Sequence, residues 1–518
     1  MSYIIEQKIK GNIYLYRVES YWDKDKQQPR QRRTYIGPKD KKTKLPVRKM
    51  KGAQIVSKSY GNIFFLRYLA KELGLYQILE TVFPDTFEQI LALTFYEITE
   101  ASPMYLFEYW QQDSFLPEIK SMDSYACSSL CEDVGKLESL RLEFFKQWTN
   151  NVKPIDAVYY DITSISSYST NINFVEWGYN RDNENLPQIN MGVICNQQNG
   201  MPLYYNIFPG SIVDVTTLRN NLHFLQAFGL NNILVIMDRG FFSTSNVTEM
   251  NHSENKISFI QPLPLSLKKV RELVSQSKKT ISNPENAFQY NEEILYSKPV
   301  KIAIGESSFD GHLYFNEKAE LDQKQNFLSA LLKIETGIKE QKFMSQKQAD
   351  KYIESSVLMK YQAYYKWNSK TKIIEKNINA INQYFSHLGC YLMITNSDTE
   401  LDRIEMLNYY RNKDRVEKLF DLVKNEMDGS RLRAHNDFTN HGRLFIRFLA
   451  LILASHINQV MSDKKLFKTF SMKEMLIDLK KIKHIQLFNS TPFVSEVSKK
   501  HKKIFEAFNI PIEKLHSY

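Results

Sequence analysis

AVYYDITS, residues 157–164, and ILVIMDRG, residues 233–240, are the two stretches on which the fold turns. Each is a run of apolar and aromatic side chains that meets an aspartate, Asp161 in the first and Asp238 in the second, 77 residues apart. Short apolar runs of this kind read as strands buried on both faces. Between them, 190–195 and 202–208 read as two more strands, separated by the turn pair Asn199-Gly200, a strong hairpin signal. A helix is expected over 214–228, opened by Asp214, ahead of the strand at 232–237. A further helix over 243–251 and a fifth strand over 257–261 complete the series.

Three strands, helix, strand, helix, strand is the order a ribonuclease-H-like core requires. An antiparallel meander is followed by a crossover that lays the fourth strand parallel to and beside the first. The ends of strands one and four then become neighbours, so topology brings Asp161 and Asp238 together. The expected fold class is α/β: a ribonuclease-H-like mixed sheet flanked by helices, interrupted by a large insertion domain, with an N-terminal β-hairpin plus a helical DNA-binding region.

The same reading divides the chain. Residues 12–37 alternate apolar and polar as a hairpin does, and 1–50 is taken as that hairpin and a basic linker. From Gly61 to Trp148 the apolar spacing is helical, giving a helical, DNA-binding domain over 51–150. The core occupies 151–261 and resumes at 389–460. It is interrupted by an insertion at 262–388 that is richer in Lys, Gln, Ser and Asn, and a helical region fills 461–518. Within the insertion, strands are expected over 293–296 and 300–304 and helices over 319–334 and 348–359. A strand at 390–395 returns to the core and a long helix follows over 402–426.

The 518 residues are 43% hydrophobic and 13% aromatic, a globular composition with room for several cores. Four scattered cysteines, Cys127, Cys131, Cys195 and Cys390, exclude a disulfide framework and fit a reducing cytosol. No second Cys or His pair stands near Cys127 and Cys131 to complete a zinc site, so they read as small buried hydrophobes. The N-terminus lacks the basic start and unbroken apolar run of a signal peptide. The most apolar tract, 444–454, is interrupted by Arg447 and falls short of the roughly 20 residues a membrane span needs. No membrane partner is expected.

Charge is unevenly placed. The whole chain carries +10, and residues 23–53 alone hold twelve Lys or Arg against three Asp, a net of +9. A solvated linker is the bland reading of any one of these lysines, but their concentration suits the phosphate backbone of nucleic acid. The basic tail at 499–503 admits both readings.

On the helix expected at 402–426, Tyr410, Lys413, Glu417 and Lys424 fall within an arc of roughly 60° at about 100° per residue. Glu417 is thereby presented between two lysines, with Asp414 and Asp421 near the same arc as competing acids. A mixed-charge stripe is usually a solvated face. Asp161 and Asp238 could each be a turn acid. One shared site explains all three better. Carboxylates about 4 Å apart repel by roughly 4 kcal/mol at an effective dielectric near 20, so a cluster of them calls for cations. Mg²⁺ suits it as a hard ion taking one or two carboxylates, water and phosphate.

These motifs resemble bacterial insertion-sequence transposases of the Tyr–Arg–Glu–Lys signature group. Tyr410, Glu417 and Lys424 match the signature, and Lys413 stands where the family has Arg. Tyr160-Asp161-Ile162-Thr163-Ser164 and Met237-Asp238-Arg239-Gly240-Phe241 are similar to its two aspartate motifs. Gly200-Met201-Pro202-Leu203, Phe208-Pro209-Gly210 and His441-Gly442-Arg443-Leu444-Phe445 are similar to intervening and following segments. The resemblance implies a metal-dependent transposase with Asp161, Asp238 and Glu417 as catalytic residues and metal ligands. It also implies two Mg²⁺ ions replaceable by Mn²⁺, and DNA phosphates held by Arg239, Tyr410, Lys413 and Lys424. The implied partners are double-stranded DNA, as element ends and target, and a second copy of the chain on paired ends. The implied setting is a bacterial cytoplasm, on the nucleoid when DNA is bound. A decayed DNA-binding relative, or a nuclease that cuts without joining, shares much of this pattern. Trp367 reads as packing within the insertion, with stacking on a displaced base as the alternative.

Overall fold

The computed structural model describes residues 2–516 apart from 11, 24–25, 40–54, 170, 181–183, 213–216, 219–223, 225–226, 231–232, 253–256, 358, 397–399, 422–430, 433 and 488–489. The chain opens with an antiparallel sheet of β1 (Ser2–Ile9), β2 (Asn12–Asp23) and β3 (Gln28–Pro38), so three strands stand where the sequence pattern predicts two. Only Leu15, Val18 and Gly37 are buried in it, and most other side chains are exposed. Most of the basic linker lies outside the described residues. After β4 (Ile55–Ser59) the chain is helical up to Val152, the last helices being Ser124–Lys136 and Glu138–Val152.

The central sheet then begins: β5 (Ala157–Ser167), β6 (Gln188–Asn196), β7 (Pro202–Pro209), β8 (Leu234–Met237) and β9 (Ser258–Leu263). β5 and β6 are buried along almost their whole length, which is why they read as unbroken apolar runs rather than alternating ones. Gly200, at φ 69°, takes the left-handed turn position between β6 and β7. The helix expected over 214–228 falls largely outside the described residues.

β10 (Ala287–Tyr290), β11 (Glu293–Ile304) and β12 (Ser307–Phe315) follow, then β13 (Tyr365–Asn368) and β14 (Ile373–Lys376) as a separate ribbon, and β15 (Cys390–Thr395). The large sheet runs β10-β11-β12-β15-β9-β8-β5-β6-β7, and the short β16 (Arg431–Leu432) pairs with the end of β5. β8 lies parallel to both β5 and β9, while all remaining pairs along the path are antiparallel. Part of the stretch read as an insertion therefore continues the central sheet. β11 alternates buried and exposed residues over much of its length, as an antiparallel strand with one wet face does. A separate small core, from Phe327 to Ile381, belongs to the helices and ribbon between β12 and β15. Trp367 packs against that core with Phe343 at its edge.

The helical region after β4, the central sheet and the C-terminal segments share one continuous core from Tyr60 to Leu515, which the N-terminal sheet does not join. Its axis is the helix Asp437–Asp463, whose segment 444–454 is buried throughout. This is the one helix among the described residues long and apolar enough to cross a membrane, yet 78% of its most apolar window is buried inside the fold. It crosses Ser124–Lys136 at a pair of glycines. A Cβ at Gly442 would stand 1.8 Å from the Cys131 carbonyl oxygen, and one at Gly135 1.8 Å from that of Phe438. The two backbones therefore touch, and any side chain at either position must part them. Beyond this helix, β17 (Lys483–Leu487) joins β18 (Phe493–Val494) and returns to β4.

The helix expected as continuous over 402–426 is broken. Arg403–Arg411 ends, Asn412 and Lys413 form a turn, and Asp414–Asp421 begins. Lys413 N–H donates to the Tyr410 carbonyl at 3.1 Å and Val416 N–H to that of Lys413 at 2.8 Å, both tight three-residue closures. Tyr410, Lys413 and Glu417 thus do not form one straight stripe, and Lys424 lies outside the described residues.

We expect Gly442→Ala to cost about 1–3 kcal/mol or more, because overpacking here meets backbone rather than a movable side chain. Urea unfolding measures it, and an unchanged midpoint would refute the close crossing.

Candidate active site

Register brings the first two aspartates together. In the parallel pairing of β5 with β8, Tyr160 stands opposite Met237, so the next residues on the two strands are Asp161 and Asp238. β8 ends at Met237 while β5 runs on to Ser167. The side of β5 that β8 covered therefore lies open beyond Tyr160, until β16 pairs at Ser166 and Ser167. Crevices at the carboxyl ends of parallel strands are where open α/β sheets take their ligands.

The broken helix fills this opening. Lys413 Nζ lies 3.6 Å from Asp161 Oδ2 and 3.3 Å from Asp238 Oδ2, and its side chain is only 8% exposed. One ammonium thus bridges two carboxylates that would otherwise repel across the strand pair. The break after Arg411 is what lets this lysine turn inward.

Other groups fix the carboxylates. The Tyr410 hydroxyl donates to Asp238 Oδ1 at 3.3 Å, and Asp161 Oδ1 accepts from the backbone N–H of Ile162 at 2.9 Å. Tyr159 donates its hydroxyl to the Tyr409 carbonyl at 2.9 Å, tying β5 to the helix that carries Tyr410. Gln261 Nε2 donates to the Asp238 carbonyl at 2.9 Å from the neighbouring strand β9. Sequence reasoning missed Tyr159, Tyr409 and Gln261. The signal for Gln261 was its place as a polar residue in SFIQPL, an otherwise largely apolar strand in which it is wholly buried.

Burial alone would push the Asp238 carboxyl up. The Lys413 charge, the Arg239 backbone N–H and the Tyr410 hydroxyl together outweigh it and hold that carboxyl below its ordinary range.

A cavity of 340 Å³ opens beside Asp238, with Arg239, Tyr410 and Arg411 on its wall and Leu263 and Leu407 among its apolar lining. Arg239 is exposed, and Arg411 faces the Tyr290 ring at 4.9 Å and Glu293 at 3.9 Å. Arg411 is a further cation that sequence reasoning did not single out, though it adjoins Tyr410. Glu417 falls within the helix Asp414–Asp421, which packs on β5, but its side chain lies outside the described residues. The structure therefore gathers Asp161, Asp238, Tyr410 and Lys413, with Arg239 at the rim. Among the described residues no group of three His, Cys, Asp or Glu side chains is placed to hold a metal ion.

The family model of the transposase DDE domain matches residues 154–453, more than half of the chain. The chain belongs to the DDE transposase family. A search of curated proteins gives no match. Among solved structures, the chain is similar to a piggyBac transposase synaptic complex with hairpin DNA. The likeness has a TM-score of 0.34 at 10% identity and covers 81% of this chain and 70% of that one. A likeness that distant carries no argument about this transposase.

Transposases of this family generally use divalent metal ions, and the residues present suit such an ion. Asp161 and Asp238 offer hard oxygen donors side by side, and they already share one cationic group in Lys413.

In the metal-free protein, Lys413→Met should move the Asp238 titration up, since burial then acts without the opposing ammonium. A depressed carboxyl stabilises the fold above its unfolded value, near 3.9. That contribution is lost only as pH falls through the lower folded value, so the variant should lose stability at higher pH than wild type. Carboxyl-carbon NMR of Asp238 measures the shift, and superimposable titrations in the two proteins would sink this account.

Proposed function

We propose that this protein is a DNA transposase that cleaves the ends of an insertion sequence and joins them to target DNA, by a cut-and-paste route. The observation that carries this reading is the placing of Asp161 and Asp238 side by side just past the last paired residues of the parallel strands β5 and β8, with Lys413 between them. The β7-β6-β5-β8-β9 part of the sheet is read as a ribonuclease-H-like core. Glu417 is assigned as the third carboxylate from its motif spacing, and the three would hold Mg²⁺, or Mn²⁺ in its place. Such ions activate the attacking oxygen and stabilise the leaving one in an in-line displacement.

The chain's own groups supply positioning. Tyr410 orients Asp238 through its hydroxyl. Lys413 carries a charge that offsets part of the charge of the two carboxylates in the protein alone and is then available to a DNA phosphate. Arg239 and Lys424 are assigned to the same backbone. The exposed N-terminal sheet and basic linker extend the DNA contact, where affinity comes chiefly from released counterions. We place the active form as a homodimer on paired ends, in the cytoplasm and on the nucleoid.

The test is an assay of wild type and Asp161→Ala with Mg²⁺, on labelled DNA carrying the element's flanking ends together with a target plasmid. We expect end cleavage and strand joining by wild type only, with the variant reduced at least 10²-fold. Cleavage without joining would reassign the protein as a nuclease. Equal DNA binding by both proteins with no cleavage by either would make it a decayed, DNA-binding relative.

A further inference from the structure

A second cavity, of 680 Å³, lies where β5 runs out, and its chemistry differs from that of the aspartate site. Its lining includes Ser124 and Ser128 from one helix, Tyr105 and Tyr168 at the rim, and His435 and Arg443 beside and on the long central helix. No Asp or Glu contributes to it among the described residues. Tyr105 and Tyr168 are 62% and 68% exposed, so two aromatic rings face solvent at its mouth.

Arg443 decides what the cavity suits. Arg443 is partly buried and lines the cavity together with Cys131, and among the described residues it makes no hydrogen bond or ion pair. One turn further along the same helix, Arg447 reaches Glu97 at 3.8 Å, so the arginine beside it has its carboxylate. Arg443 has a cavity instead. A guanidinium is charged at every accessible pH, and a partly desolvated one without a partner costs stability until an anion reaches it. The hydroxyls of Ser124, Ser128 and Tyr168 add donors of the kind that phosphate oxygens accept from.

Position then narrows the class of anion. Tyr168 follows Asp161 by seven residues along the same strand and its end, about 23 Å at about 3.3 Å per residue. Duplex DNA rises about 3.4 Å per base pair, so a duplex running along β5 from Asp161 would reach this cavity after roughly seven base pairs. We propose that the cavity around Arg443 binds a backbone phosphate of DNA lying beyond the phosphodiester that reacts, an inference that rests on the transposase reading for its ligand. Arg443 fixes the path of the duplex at a second point, and the rim tyrosines pack against the sugar or base that the held phosphate carries with it.

Two measurements on the full chain test this. In thermal unfolding, millimolar inorganic phosphate should raise the Tm of wild type and leave Arg443→Met unmoved. Without phosphate the variant should unfold at the same temperature as wild type or higher, because an unpaired charge has gone. A variant that unfolds several degrees lower and keeps the phosphate shift would overturn the proposal and make Arg443 a packing residue. In DNA binding, Arg443→Met should weaken affinity roughly tenfold and lower the salt slope by about one, with Arg443→Lys recovering much of both. Unchanged affinity and slope would overturn it equally.

Phosphate-ethylation interference on a labelled element end and on a labelled target duplex locates the contact. Interference about seven base pairs from the reacting bond on one of them supports the proposal and says which DNA is held, and none on either refutes it. A wild type that cuts no DNA but keeps an Arg443-dependent phosphate shift would remove the transposase reading and leave the anion site standing.

Discussion

Two carboxylates held side by side need a positive charge between them, and the centre of this protein is built around that need. The register of β5 against β8 fixes Asp161 next to Asp238, because Asp161 lies within β5 and Asp238 directly follows the last residue of β8, and both strands are buried in the core. The repulsion this creates is relieved by Lys413, at 3.6 and 3.3 Å. Bringing a lysine so far inward breaks the helix that carries it into Arg403–Arg411 and Asp414–Asp421. A local irregularity in one helix is thus the consequence of an electrostatic demand in two strands some 170 and 250 residues earlier in the chain.

That demand is met only because the surroundings are rigid. β5 and β6 are buried on both faces, and the helix Asp437–Asp463 closes the core behind them. Its contact with Ser124–Lys136 is made backbone to backbone at Gly442 and Gly135, and the helical region and the sheet share one core. Hydrogen bonds across that core, Tyr159 to the Tyr409 carbonyl and Gln261 to the Asp238 carbonyl, place the groups of the crevice against the same frame. Arg447 finds Glu97 within this packing while Arg443, one turn earlier, emerges into open space, so a single helix serves both as core and as cavity wall.

Much of this is legible in the chain. The strands at Ala157–Ser167, Gln188–Asn196, Pro202–Pro209 and Cys390–Thr395 announce themselves as apolar runs bounded by turn residues, because strands inside a sheet are apolar on both faces. The two aspartates are legible as the acids next to such runs. Less legible is the fate of β10 to β12, whose alternating pattern fits an edge of any sheet and does not say which one. Burial of Gln261 and the inward turn of Lys413 could not be read locally either, since each answers to partners far away in sequence.

By itself the sequence determined most strands of the central sheet, where the acids and the basic linker stand, and the motif spacing that joins Tyr410 to Glu417. These follow from local periodicity, turn chemistry and charge, which act over a few residues. Only the tertiary structure decided that Lys413 would lie on the two aspartates, that the helix would break to allow it, that β10 to β12 would extend the central sheet, and that Arg443 would line a cavity to which no carboxylate contributes among the described residues. Those outcomes depend on register and on the electrostatics of groups that meet only when the chain is folded. A lysine in a sequence does not carry the address of its counter-charge.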